Sequence, residues 1–265
     1  MSPDVDTRVR ALLDTLRMPK AAQIIADLSP DPARRVAVLE ALERLLRAEV
    51  DHRKERRIQR RLDDARLPDQ PTLATFDFAF QPSIDRALVL DLATLSWVDR
   101  HEDLLLIGQS GTGKSHIAKA LALIGCGQER RVRYTSCASM LSTLHASLAD
   151  GTLREALKAY THPELLVVDD LGYDPIEQEH AREAQLLYKV LDARHGRVST
   201  IVTSNLAAEK WAEYLGNHYL TVALLDRLLY NGTTIDIEGP SWRLAKHATR
   251  RKERATRAKD TAPNP

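Results

Sequence analysis

The sequence predicts an α/β protein: a parallel sheet between helices, preceded by a small all-helical domain. Three observations carry that prediction. Short, fully apolar runs, Leu104–Ile107 and Leu165–Val168, alternate with segments of helical period. Strands without in–out alternation are covered on both faces, the mark of a parallel sheet between helices. A glycine-rich loop, Gly108 to Ser115, joins the first apolar run to a helix-like segment.

The elements follow in order. Val9, Leu12, Leu13 and Leu16 recur at helical spacing, as do Ile24, Ile25 and Leu28. Ser29-Pro30-Asp31-Pro32 interrupts the pattern, and a second helix carries Val36, Leu39, Leu42, Leu45 and Leu46 on one face. That helix continues into the basic block Arg53 to Arg61. Pro68, Pro71 and Pro82 punctuate residues 67–82, which read as a linker between a helical domain, 1–66, and the α/β domain, 83–245. Within the latter, Val132–Ser136, Thr200–Thr203 and Thr233–Ile237 are the remaining strands. Helices are expected over 117–124, over 141–160 with a break near Asp150-Gly151, and over 184–193, stopped by Gly196. The basic tail, 246–265, ends in Thr261-Ala262-Pro263-Asn264-Pro265 and reads as disordered.

Composition limits the function. The chain has 265 residues, 28% charged and 43% apolar, with a net charge of +1. Affinity for nucleic acid must therefore come from local patches. No apolar run reaches the roughly eighteen residues of a membrane span, and MSPDVDTRVR lacks a signal-peptide pattern. Cys126 and Cys137 form neither a disulfide framework nor a metal-ligand spacing, and both read as core thiols. His101, His145, His162, His180, His195, His218 and His247 also lack ligand spacing. A cytoplasmic protein without a membrane partner is expected.

The strongest motif is Gly108-Gln109-Ser110-Gly111-Thr112-Gly113-Lys114-Ser115, with His116 following in the helix. It fits G-x-x-x-x-G-K-[ST], in which glycines let backbone N–H groups converge on phosphate oxygens. Lys114 brings charge to the outer phosphates, Ser115 a hydroxyl for Mg²⁺, and the helix its positive N-terminal end. Asp169 and Asp170 end the second apolar run. A carboxylate there helps hold Mg²⁺, which suits Asp169, and leaves Asp170 to orient or deprotonate water. Asn205 closes the next strand, Thr203-Ser204-Asn205, as the amide placed to sense a γ-phosphate.

Together these segments resemble the AAA+ ATPases, and within them the IstB-like insertion-sequence transposition helpers, relatives of the DnaC-type helicase loaders. The resemblance rests on Leu104–Ser115, Leu165–Gly172 (LLVVDDLG), Ile201–Leu206 (IVTSNL), Leu225–Leu228 (LDRL) and Ile237–Leu244 (IEGPSWRL). Phe76-Asp77-Phe78 and Leu92–Trp97 look like the family's approach to the nucleotide loop. The resemblance implies an AAA+ P-loop core that binds ATP with Mg²⁺ and hydrolyses it. It makes Asp169 and Asp170 the acidic pair and Asn205 the first sensor. It also makes Arg227 a finger reaching a neighbouring subunit's nucleotide, hence a homo-oligomer, and places Arg243 near a second sensor. Asp170 stands where AAA+ proteins usually have glutamate, and Trp242 where relatives usually have tyrosine. From spacing alone, Arg227 only falls off the apolar face of Leu224, Leu225, Leu228 and Leu229.

Two basic patches, Arg53–Arg61 and the tail with Lys246, Arg250, Arg251, Lys252, Arg254, Arg257 and Lys259, are either contacts for DNA phosphates or solvated faces. Nothing beside them supports base-specific reading, so any duplex would be bound through its backbone. Phe76 and Phe78 either pack around an adenine or anchor the linker. The leading expectation is an ATPase, stimulated by DNA or a partner, that assembles on duplex DNA and assists a cognate transposase. A helicase loader is the alternative. A small-molecule P-loop kinase fits the acidic pair, Asn205 and Arg227 less well.

Overall fold

The computed structural model describes residues 4–25, 31–172 and 181–260, without the side chains of 181–183 and 252–260. Leu28, Ser29, Pro30, His180 and the 261–265 terminus of the sequence reading lie outside the described residues. The chain divides into two compact units, Met1–Arg60 and Arg61–Pro265. The division falls inside a helix, a few residues before the boundary at 66 that the sequence suggests.

The first unit holds α1 (Val5–Thr15), α2 (Pro19–Ile24) and most of α3 (Pro32–Ala65). Pro19 opens α2 at its first position, where the missing N–H costs nothing. No glycine or proline interrupts 33–65, so α3 runs 34 residues, a rod of about 50 Å. Its apolar stripe buries Leu39 and Leu46 against Val9, Leu13, Leu16 and Ile25. Glu43 accepts from Arg8 at 2.9 Å and from Arg47 at 2.7 Å. Those hydrogen bonds hold its carboxyl down to about 2. Arg53 through Arg60 are exposed along α3, except Ile58, which is partly buried.

The second unit is built on a five-stranded parallel sheet in the order β2-β3-β4-β1-β5. The strands are β1 (Asp103–Gly108), β2 (Val132–Ser136), β3 (Leu165–Leu171), β4 (Ser199–Ser204) and β5 (Gly232–Ile237). All five fall where the sequence places them. Successive side chains point to opposite faces, so Leu104, Leu106, Leu165 and Val167 enter one apolar cluster and Leu105, Leu166 and Val168 the other. The first cluster is completed by α4 (Arg86–Leu92), α5 (Ser96–Asp99) and α6 (Lys114–Gly127). The second is completed by α7 (Cys137–Ala149), α8 (Leu153–Thr161), α9 (Ala181–Arg194), α10 (Trp211–Leu215) and α11 (His218–Tyr230). Cys126 and Cys137 are buried thiols.

Arg194 is 1% exposed and donates to Thr200 Oγ1 at 3.0 Å, to the carbonyls of Tyr160 and Pro163, and to that of Ser199. These bonds replace the water that burial removes. Nearby Asp103 accepts from Thr200 N at 2.7 Å, and burial pushes its carboxyl up to about 6.

Two segments depart from the sequence reading. Residues 67–82 are not a free linker: Leu67, Leu73, Phe76 and Phe78 pack against the first cluster, and Leu73–Thr75 forms a 3-10 turn. Aromatic and leucine side chains between the prolines supply that adhesion. The basic tail is helical through Asp260, as α12 (Trp242–Asp260). Alanine, lysine, arginine and glutamate favour helix there, and no proline intervenes before Pro263.

Candidate functional site

The site forms where β1, β3 and β4 end. There the β1 loop, Asp170 near the end of β3 and Asn205 after β4 line one cavity of about 420 Å³. Gly113 has φ +106°, and a Cβ there would meet a Phe76 ring carbon at 2.5 Å. Gly111 has φ +84°, and a Cβ would meet Ser241 Oγ at 2.1 Å. Only glycine combines these backbone angles with such close neighbours. The loop is thus braced by Phe76 on one side and by Ser241 and Trp242 on the other; Trp242 N donates to Gly111 O at 3.0 Å. The loop leads into the first turn of α6, whose N–H groups have no partner within the helix.

Lys114 is 5% exposed, and its Nζ donates to Gly108 O at 2.7 Å and Gln109 O at 2.8 Å. Burial pulls its pKa down, while Asp170 and Asp169 oppose that pull. Thr112 Oγ1 donates to Gln109 O at 2.8 Å, so this hydroxyl serves the loop itself. Ser110, Ser115 and His116 line the cavity, and His116 Nε2 lies 2.9 Å from Thr72 O.

The two aspartates have different surroundings. Asp170 lines the cavity at φ +59°, an uncommon angle for a side chain other than glycine. Burial and then the Asp169 charge raise its pKa; Lys114 and Arg243 pull the other way. Asp169 is 2% exposed and does not line the cavity. Its Oδ2 accepts from Tyr134 Oη at 2.6 Å and its Oδ1 from Thr203 Oγ1 at 2.5 Å. Burial and this hydrogen bond push the Tyr134 phenol up, so it remains a donor. Asn205 lines the cavity with its Oδ1 buried and, among the described residues, unpartnered.

Phe80, Gln81 and Lys246 line the cavity outside any motif, beside Phe76, Trp242 and Arg243. Phe80 and Trp242 meet edge to face at 4.8 Å and, with Phe76, form an aromatic wall. Gln81 fixes the approach of α12 by donating from Nε2 to Pro240 O at 2.7 Å. Arg243 and Lys246, one helical turn apart on α12, add positive charge. An aromatic residue in a proline-punctuated stretch was the available signal for Phe80. Lys246 had none, being one of many basic residues in its segment.

The IstB-like ATP-binding protein family model matches residues 11–250. The chain belongs to this family. Among similar IstB-like proteins, one named for ATP binding in insertion sequence IS21 of Pseudomonas aeruginosa is 36% identical over 89% of this chain and 88% of its own length. Another, of insertion sequence IS232 of Bacillus thuringiensis, is 30% identical over 89% of this chain and 93% of its own. The fold of this IstB-like chain is also that of solved replication proteins. The DnaC helicase loader superposes with a TM-score of 0.51 at 21% identity, covering 59% of this chain and 90% of that one. AMPPCP-bound DnaA from Aquifex aeolicus gives 0.52 at 18%, covering 65% and 51%. The α/β unit is accordingly an AAA+ P-loop fold.

Another predicted site residue of the IstB-like chain stays outside the cavity lining. Arg227, on α11, does not line the cavity. Its Nε pairs with Asp192 Oδ1 at 2.7 Å, its Nη1 donates to Ala223 O, and its guanidinium lies 4.8 Å from the Tyr188 ring centroid. Beside it on α11, Tyr219, Val222 and Tyr230 are exposed. No helix among the described residues is long and apolar enough to cross a membrane.

Proposed function

We propose that this chain is a cytoplasmic ATPase that assembles on duplex DNA and assists the transposase of an insertion sequence. The observation that carries the reading is the convergence of Lys114, Asp170, Asn205 and Arg243 on one cavity behind a glycine loop. Three cations, Lys114, Arg243 and Lys246, suit a polyphosphate, and Phe76, Phe80 and Trp242 offer aromatic surface to a base. The unpartnered Asn205 Oδ1 is a buried acceptor awaiting a donor, and an attacking water is one.

On this reading the loop amides and Lys114 hold the phosphates, for which Lys114 leaves the two carbonyls it now contacts. Asp170 takes the proton of the attacking water, and Asn205 orients that water against the terminal phosphate. Ser115 and Asp169 provide oxygen donors of the kind magnesium requires, and that ion would neutralise charge on the outer phosphates. Arg227, outside its own chain's cavity, serves a neighbouring copy, which ties hydrolysis to assembly. The exposed basic residues of α3 and α12 contact DNA phosphates without reading sequence.

The insertion-sequence relatives, similar over nearly the whole chain, favour the transposition role over helicase loading. The deciding experiment is steady-state ATP turnover with and without duplex DNA, and with an insertion-sequence transposase. Stimulation by either supports the reading. Turnover that ignores both, together with binding to a replicative helicase, refutes it.

A further inference from the structure

We propose that Tyr134 and Thr203 form a hydroxyl clamp that sets the geometry of the acidic pair and links it to the strand carrying Asn205. The inference rests on the ATPase reading above and adds two positioning residues to it. Asp169 is buried, yet no cation lies within ion-pairing distance of it among the described residues. Both its oxygens are instead held by neutral hydroxyls, at 2.6 Å from Tyr134 on β2 and 2.5 Å from Thr203 on β4. A buried carboxylate fixed this way has its orientation set by three adjacent strands.

Thr203 does more than donate. Its Oγ1 also accepts from the backbone N–H of Asp170 at 2.9 Å. One hydroxyl therefore ties the side chain of the first acid to the main chain of the second. This occurs where the β3–β4 register shifts, between Val168 and Leu171, and where Asp170 adopts φ +59°. The hydrogen bond supplies a partner for an N–H that the irregular ladder would otherwise strand. Asn205 follows two residues later. A displacement of β4 caused by a ligand at Asn205 must therefore move Thr203, and with it both aspartates. The main chain at Asp170 is held, and its carboxylate is turned into the cavity.

The clamp acts through Asp169 and Asp170, so its loss should appear in metal dependence and in kcat rather than in nucleotide capture. Outer hydrogen-bond partners of metal-binding carboxylates typically govern about 10–100-fold in metal affinity or activity. Tyr134→Phe keeps the ring beside Lys119 and removes one donor. Thr203→Val keeps the shape and removes both of that hydroxyl's bonds, whereas Thr203→Ser keeps them.

The experiment titrates Mg²⁺ against binding of a fluorescent ATP analogue to the full chain, with kcat and KM measured in parallel. Wild type and Thr203→Ser should agree. Tyr134→Phe should raise the half-saturating Mg²⁺ and lower kcat by about 10-fold, and Thr203→Val by more, up to about 100-fold. Affinity for the analogue without Mg²⁺ should stay unchanged, which also certifies that each variant is folded. Unchanged Mg²⁺ half-saturation and kcat in both Tyr134→Phe and Thr203→Val overturns the clamp while leaving the ATPase reading intact. Equal losses in Thr203→Ser and Thr203→Val also overturn it, since the hydroxyl would then be irrelevant. A wild type without Mg²⁺-dependent nucleotide affinity overturns the site assignment, and the clamp with it.

Discussion

Replacing Arg227 by alanine separates assembly-dependent chemistry from folding. In the folded chain the guanidinium has an ion pair with a half-exposed carboxylate, a backbone acceptor one turn back, and the face of Tyr188. An ion pair this exposed and one cation–π contact are together worth about 1 kcal/mol. Thermal stability and ATP affinity should therefore change little. If Arg227 completes a neighbour's site, hydrolysis should fall by about 10³-fold or more, the range for arginine fingers. Its place outside the cavity of its own chain leaves contact with another copy as the route to that effect. The assay mixes Arg227→Ala with Lys114→Ala, each inactive alone, and follows phosphate release across a titration of one against the other. Mixed assemblies should regain turnover, because an intact cavity on one chain meets an intact Arg227 on the next. Co-assembly without any recovery refutes the reasoning.

Asp170→Asn should bind ATP and hydrolyse it poorly. Because burial raises the Asp170 pKa, wild-type turnover should decline on acidification at a higher pH than an ordinary aspartate would give, as the rate profile can check. Gly113→Ala should lose ATP binding by equilibrium titration, since its Cβ would sit 2.5 Å from the Phe76 ring at φ +106°; retained affinity would show that the loop can shift freely. Asp103→Asn should stabilise the protein near pH 8. The folded-state pKa, about 6 against an ordinary 3.8, means that stability is lost as pH rises through that interval, an effect of up to about 3 kcal/mol. Melting curves should show the gain vanishing near pH 4. Removing residues 252–265 should flatten the salt dependence of DNA binding and spare ATP affinity. Cutting from Lys246 onward should weaken both, because Lys246 lines the cavity.

The sheet was legible because its signal is local. Each strand is an apolar run bounded by polar or glycine residues, and burial on both faces leaves little else such a run can become. The meeting of the glycine loop, Asp170 and Asn205 at one cavity was legible for a related reason: each sits at the end of a strand that the sequence marks. A division inside α3 has no local signature, since nothing in an unbroken helix marks where contacts pass from one unit to the next. In the basic tail, charge density points to disorder while intrinsic helix propensity points to helix, and the propensity prevails.

The enclosing half of the site depends on contacts that no window of sequence contains. Gln81 reaches Pro240 across 159 positions, and Trp242 donates to Gly111 from the far end of the domain. Phe76 looked like an anchor or a base contact, and the structure makes it a brace against Gly113 with its ring also lining the cavity. Tyr134 carried no motif at all. Its importance arises because parallel pairing sets Ser136 beside Asp169, which leaves a tyrosine two residues earlier in reach of the buried carboxylate. The glycine loop alone would close around many anions. Phe76 and Phe80 before the sheet, with Ser241 to Lys246 after it, make the cavity specific in shape. A change in either flank should therefore alter which nucleotide enters before it alters the chemistry at Asp170.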